Sequence, residues 1–371
     1  MSLLLATPQH IAHALALQHS AMLAGDALPY AQAIHANDAA LNAETAGVLQ
    51  GCRMLGFLEH DAQCIAQAWA AQTQKTGQFS VKDWPCNPQD FGIAPTPRAQ
   101  AFPTCPHALG LYAVLPDAQW VGQMARAGVP TVQLRFKSDD AAAIEREVRA
   151  AVLAVQGTGA LLFINDHWRV AIDAGAYGIH LGQEDLDALS ASELQALHGS
   201  GLRLGVSTHG YAEMVRADAV GPSYIAMGAV FPTTLKKMAT APQGVGRLGV
   251  YARLMRHYPQ VAIGGIGAEQ FAQVLVTGVG SIAVVRALVN AADPEGAAAG
   301  ERCRLPDHAL AAGACARVHC TLRPLEGSSA KTWFGPCDLL IDIASRCVRR
   351  AQASCSGTAT SAVNTAPHRI W

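Results

Sequence analysis

The sequence predicts an α/β protein, a (β/α)8 TIM barrel with a small N-terminal helical extension and a poorly structured C-terminal tail. Three observations lead there. Between about residues 110 and 289, eight short runs rich in Val, Ile and Leu alternate with amphipathic stretches. Unbroken apolar runs of this length suit strands buried on both faces, as in a parallel sheet. Polar motifs fall where the runs end, which suits a barrel because the loops after its strands all meet on one face. An open doubly wound sheet would carry a glycine-rich turn after its first strand, and here Pro116-Asp117 follow it.

The expected strands are 111–115, 131–134, 161–164, 178–181, 202–206, 224–227, 261–263 and 281–285. Between them lie segments such as 141–155, where Ile144, Val148, Val152 and Val155 recur at helical spacing. At 371 residues the chain has room for more than one domain of roughly 100–200 residues. Residues 1–105 read as a helical extension, with helices over 8–22 and 59–74 followed by a Pro-rich connector. The barrel occupies 106–292. In 293–371, Gly, Ala, Ser, Arg and Cys dominate, and an irregular, largely disordered tail is expected apart from a structured piece over 337–350.

Charged residues make up 15% of the chain and the net charge is −1, so there is no electrostatic case for nucleic acid or a membrane surface. No apolar run is long enough to span a bilayer, and the expected location is cytoplasmic. The ten cysteines avoid residues 106–302 entirely. A secreted disulfide scaffold would not leave its largest segment unstapled, so reduced thiols are expected.

The polar motifs carry the chemistry. Gln133, Arg135 and Lys137 alternate with Leu134 and Phe136, so on a continuing strand the three polar side chains share one face. At a barrel rim that face opens into the mouth, where a guanidinium fork and a mobile ammonium suit a pyrophosphate. Asn165-Asp166 and Asp185 each follow a strand and would meet at the same rim. Two carboxylates beside phosphate oxygens make an ordinary Mg²⁺ site, because that ion keeps several waters. Capping of the helix beginning at Trp168 is the other role open to Asp166. Thr233-Thr234-Leu235-Lys236 lie in a long loop over 231–248 that suits a second phosphate, and Gly264-Gly265 permit close backbone approach. His180 and His209, at strand ends, are read as structural residues or as a base.

With these motifs in view, residues from about 109 to 292 resemble the thiamine-phosphate synthase family. QLRFK, FINDHWRVAI, YGIHLGQEDL, LGVSTH, YIAMGAVFPT, APQG and VAIGGI carry the resemblance. It implies a Mg²⁺-dependent transferase that joins hydroxymethylpyrimidine diphosphate to a thiazole phosphate and releases pyrophosphate. Gln133, Leu134, Arg135, Phe136, Lys137, Asn165, Ser207 and Lys236 would match the pyrimidine diphosphate contacts, with Arg135, Lys137, Ser207 and Lys236 in catalytic roles. Asp166 and Asp185 would match the metal ligands, and Gly265 a thiazole-phosphate contact. Small-molecule substrates are the expected partners, with a homo-oligomer left open.

Two positions depart from the family pattern, both on the thiazole-phosphate side. Where the family has Thr-x-Thr-Lys, this chain has Thr233-Thr234-Leu235-Lys236, and where the family has Val-Ser it has Val285-Arg286. Arg286 either replaces lost hydroxyl donors with a charge-assisted contact or obstructs the pocket, and compensation is favoured. The competing readings are a thiazole tautomerase using His209 and a non-catalytic binding protein.

Overall fold

The computed structural model describes residues 7–23, 38, 40–94, 98, 100–233 and 241–305. Eight parallel strands close into a barrel in chain order: β1 (Gly110–Leu115), β2 (Thr131–Leu134), β3 (Leu161–Asn165), β4 (Gly178–Leu181), β5 (Arg203–Thr208), β6 (Tyr224–Met227), β7 (Gln260–Ile263) and β8 (Ser281–Val284). Each pairs with its successor, and β8 returns to β1 with Gly110 opposite Ser281. All eight expected strands are present, with shifts of one or two residues at some ends.

The pleat sorts the strand residues onto two faces. Leu111, Ala113, Leu115, Val132 and Leu134 point outward into the core shared with the helices. Tyr112, Val114, Phe163, Tyr224, Ala226, Val261 and Ala283 form a separate cluster that fills the barrel. Gly178 and Gly205 sit where the inner rings need room, since a β-carbon on Gly178 would stand 2.6 Å from Phe163 Cε1.

The outer helices include α4 (Ala118–Arg126), α5 (Ala141–Ala154), α6 (Trp168–Ala174), α7 (Gln183–Asp187), α8 (Ala191–Gly199), α9 (Tyr211–Val220), α10 (Gly244–Leu254), α11 (Phe271–Leu275) and α12 (Arg286–Val289). Asp117 caps α4 by accepting from Trp120 N, and Ser190 with Glu193 forms a reciprocal cap on α8. The loop expected over 231–248 is shorter, because α10 already begins at Gly244. Within it, 234–240 lie outside the described residues.

Ahead of the barrel come α1 (Pro8–Leu23), α2 (Ala43–Met54) and α3 (Glu59–Thr76). The first and third match the expected helices, and α2 was not expected. Its Gly47 and Gly51 are poor helix formers, yet they let α1 pack closely, because a β-carbon on Gly47 would stand 2.5 Å from Ile11 Cβ. These helices dock against α9 and α10. Asp61 accepts from Ala212 N at 2.9 Å, at the start of α9, and Trp84 Nε1 donates to Tyr211 Oη at 2.9 Å. Arg247, buried in α10, donates to the carbonyls of Leu23 and Leu55 at 2.9 and 2.7 Å.

After β8, Pro294–Arg302 form α13 where irregular chain was expected. Asp293 caps it, Pro294 opens it, and Arg302 donates to Ala127 O at 2.9 Å, tying it to the end of α4. The piece expected at 337–350 falls outside the described residues. Among the described residues no helix is long and apolar enough to cross a membrane.

Candidate active site

A cavity of about 1050 Å³ opens at the C-terminal ends of the strands. Its lining includes Gln133, Arg135, Lys137, Asn165, Asp166, Asp185, Ser207, Thr233, Gly265, Val285 and Arg286, so loops far apart in sequence converge as a barrel rim requires. Two of the expected contacts are placed elsewhere. Leu134, the last residue of β2, faces the outer core, and Phe136, beyond the strand, packs against that core, so neither lines the mouth. Thr234, Leu235 and Lys236 lie outside the described residues.

Strand β2 ends at Leu134, as expected, so the regular pleat does not itself carry Arg135 and Lys137. Arg135 N still donates to Leu115 O at 2.8 Å, and the chain then leaves the sheet with Arg135 and Lys137 both at the cavity. Lys137 Nζ reaches Asp166 Oδ2 at 2.5 Å. Asp166 has φ 63°, a left-handed conformation costly for a residue with a β-carbon. It does not cap α6. That position falls to His167, which makes no capping bond, and the Asp166 carboxylate turns to Lys137 instead.

Asp185 sits in the first turn of α7 rather than in a loop, and its Oδ2 accepts from Gly182 N at 3.2 Å. Partial loss of solvation and the negative charge of Asp166 beside it push its carboxyl above the usual range. Two facing carboxylates with one lysine, paired to Asp166, leave surplus negative charge. That donor set fits a divalent cation with waters and phosphate oxygens completing its shell. Among the described residues no group of three or more His, Cys, Asp or Glu gathers as a metal cluster.

The floor of the cavity is amide and hydroxyl in character. Gln133 Nε2 donates to Asn165 Oδ1 at 2.8 Å, while Ser207 Oγ lies 2.8 Å from His180 Nε2. The sequence reading missed Tyr112 and Tyr224 beneath them, whose hydroxyls lie 2.7 Å apart. Both occupy ordinary strand positions, and only their inward register, together with Gly205 opposite Tyr224, hints at them. Gln183 was missed as well; it donates to Ser207 O at 2.7 Å and accepts from Arg216. His209 lines the wall with Nδ1 2.7 Å from Glu213 Oε2.

Across the cavity, Gly264 and Gly265 have φ 102° and 67°. A β-carbon on Gly265 would stand 2.5 Å from Pro232 O, so glycine is required where the loops after β6 and β7 touch. Arg286 begins α12, just after β8 and so beside the loop that follows β7, and is exposed.

Residues 111–288 match the family model described as thiamine monophosphate synthase. A thiamine-phosphate synthase of Neisseria meningitidis is 53% identical over 194 residues, covering 52% of this chain and 93% of that relative. One from Serratia proteamaculans is 50% identical over 192 residues, covering 52% and 89% respectively. A solved thiamine phosphate pyrophosphorylase from Pyrococcus furiosus aligns with TM-score 0.47 and 27% identity, over 52% of this chain and 94% of that one.

Proposed function

Since this chain belongs to the thiamine-phosphate synthase family, we propose that its barrel mouth joins hydroxymethylpyrimidine diphosphate to a thiazole phosphate, giving thiamine phosphate and pyrophosphate. The chain is a transferase acting on small molecules. The observation that carries the reading is the convergence of Arg135, Lys137, Asp166 and Asp185 on one side of the cavity. Two cations and two carboxylates at one rim suit a diphosphate held with a divalent ion.

Asp166 and Asp185 would hold Mg²⁺, which when bound neutralises charge on the departing pyrophosphate. Arg135 and Lys137 neutralise the same group directly, joined by Lys236 from outside the described residues. The C–O bond between the pyrimidine methylene and the diphosphate breaks with its electron pair leaving on oxygen. The thiazole nitrogen then donates its lone pair to the pyrimidine cation. Gln133 and Asn165 orient the pyrimidine at the floor, and Ser207 adds a polar contact there. No cysteine lies between residues 106 and 302, so a thiol nucleophile plays no part in this scheme.

The thiazole phosphate is assigned to the far side, between Gly265 and Arg286, with Thr233 and Val285 at its edges. Purified protein given both substrates and Mg²⁺ is expected to release pyrophosphate only when all three are present. Conversion of a thiazole isomer without pyrophosphate release would establish the tautomerase instead. Binding of either ligand with neither reaction would leave a non-catalytic binder.

A further inference from the structure

One unbroken run of hydrogen bonds crosses the barrel floor. It passes from Asn165 through Gln133, Tyr112, Tyr224 and His180 to Ser207, with steps of 2.8, 3.0, 2.7, 2.7 and 2.8 Å. Resting on the reading of this floor as the pyrimidine pocket, we propose that Tyr112 and Tyr224 are positioning residues. They fix the direction of every hydrogen in the run, so that Ser207 meets the ligand as an acceptor and Asn165 meets it as a donor.

The direction follows from counting hydrogens. Gln133 spends an amide hydrogen on Asn165, so its oxygen is the end turned toward Tyr112, and Tyr112 donates to it. Tyr112 has one hydrogen, so it accepts from Tyr224. Tyr224 has then spent its own, and His180 Nδ1 must carry a hydrogen to reach the Tyr224 oxygen. In the neutral ring Nε2 is left as a bare acceptor, and Ser207 donates to it. Ser207 therefore offers the cavity only lone pairs. Asn165, whose oxygen is taken, keeps amide hydrogens for it. Burial raises both phenols above their ordinary range, so they keep the hydrogens on which the count depends.

An aminopyrimidine edge presents an amino donor beside a ring-nitrogen acceptor, and an oxopyrimidine edge presents the reverse pair. The relay as built is matched to the amino form. Tyr112→Phe removes the acceptor for Tyr224, whose hydrogen is then released toward His180 Nδ1. The imidazole hydrogen moves to Nε2, and Ser207 becomes a donor although two residues stand between it and the change.

The test reads the His180 tautomer by nitrogen NMR on the full chain labelled in histidine, with His180→Gln to assign the signal. The parent is expected to carry the hydrogen on Nδ1 and the Tyr112→Phe protein on Nε2. In parallel, Tyr112→Phe is expected to lower the preference for the amino over the oxo pyrimidine diphosphate, as a ratio of kcat/KM values, by at least about tenfold. A parent with hydrogen on Nε2 or on both nitrogens, an unchanged tautomer in the variant, or equal losses for both substrates overturns the proposal. Failure of the parent to release pyrophosphate at all would instead overturn the reading of the site, because the tautomer measurement needs no turnover.

Discussion

Gly205 lies against the ring of Tyr224, where a β-carbon would stand 2.1 Å from Cζ and 2.4 Å from the hydroxyl oxygen. Tyr224 has no room to retreat, because its ring also packs edge-on against Phe163 with centroids 5.1 Å apart. Gly205→Ala should therefore push the hydroxyl away from His180 and overpack the barrel interior. Overpacking of this kind costs about 1–3 kcal/mol. Thermal melting should fall accordingly and pyrophosphate release should drop with it; a variant that melts and turns over like the parent refutes the packing argument.

The Asp166 carboxylate stands between Lys137 and Asp185. Replacement by Asn removes one proposed metal ligand and also the like charge that helps raise Asp185. Metal-dependent turnover should fall by a factor of about 100 or more, since charge stabilisation by a bound ion is worth several kcal/mol. Far-UV circular dichroism should be unchanged. Full activity over a Mg²⁺ titration would remove Asp166 from the metal site.

Because Asp185 is held above the usual carboxylate range, it binds protons that an ordinary aspartate would have released. A cation must displace those protons, so Mg²⁺ affinity should strengthen as pH rises through the mildly acidic range and then level off. In Asp166→Asn that dependence should move to lower pH. Calorimetric titrations at several pH values would show it, and a flat affinity profile in the parent would contradict it.

Arg286 stands where the family has a serine. If it compensates for a lost hydroxyl donor, Arg286→Ser should raise KM for the thiazole phosphate about tenfold, the worth of one charge-assisted hydrogen bond. The KM for the pyrimidine diphosphate should stay within error. A rise in activity would show that the guanidinium obstructs the pocket.

Glu301 in α13 is 4% exposed, and burial pushes its carboxyl up from 4.5 to about 7. A carboxyl raised in the folded state favours folding while it is protonated. That contribution is complete below about pH 4.5 and is lost as the pH rises to about 7. The loss is on the order of 3 kcal/mol at most. Denaturant melts at pH 5 and pH 8 should differ less for Glu301→Gln than for the parent, and an identical difference would discount the group.

The barrel was legible because its strands are buried on both faces and so carry unbroken apolar runs. The rim was legible because Arg135, Lys137, Asp166 and Asp185 interrupt those runs with charge. Tyr112 and Tyr224 were not, since a tyrosine inside an apolar strand reads as core and only closure of the barrel brings the two hydroxyls together. The outward turn of Leu134 and Phe136 was already implied by their alternation with Gln133, Arg135 and Lys137. Helix α2 was hidden by Gly47 and Gly51, whose value lies in a neighbour far from them along the chain. The docking of the first three helices rests on long-range pairs such as Asp61 with Ala212, which carry no local pattern.

Arg247 spends its guanidinium on two carbonyls of the N-terminal segment, and the Tyr211 hydroxyl oxygen accepts from the Trp84 indole of the same segment. Anyone shortening the chain to residues 106–305 would strip partners from a buried cation and lay bare the ring face that Phe91 covers by stacking. Such a fragment would keep the residues of the barrel mouth but expose a flank that the full chain seals, and it is expected to associate with other copies of itself.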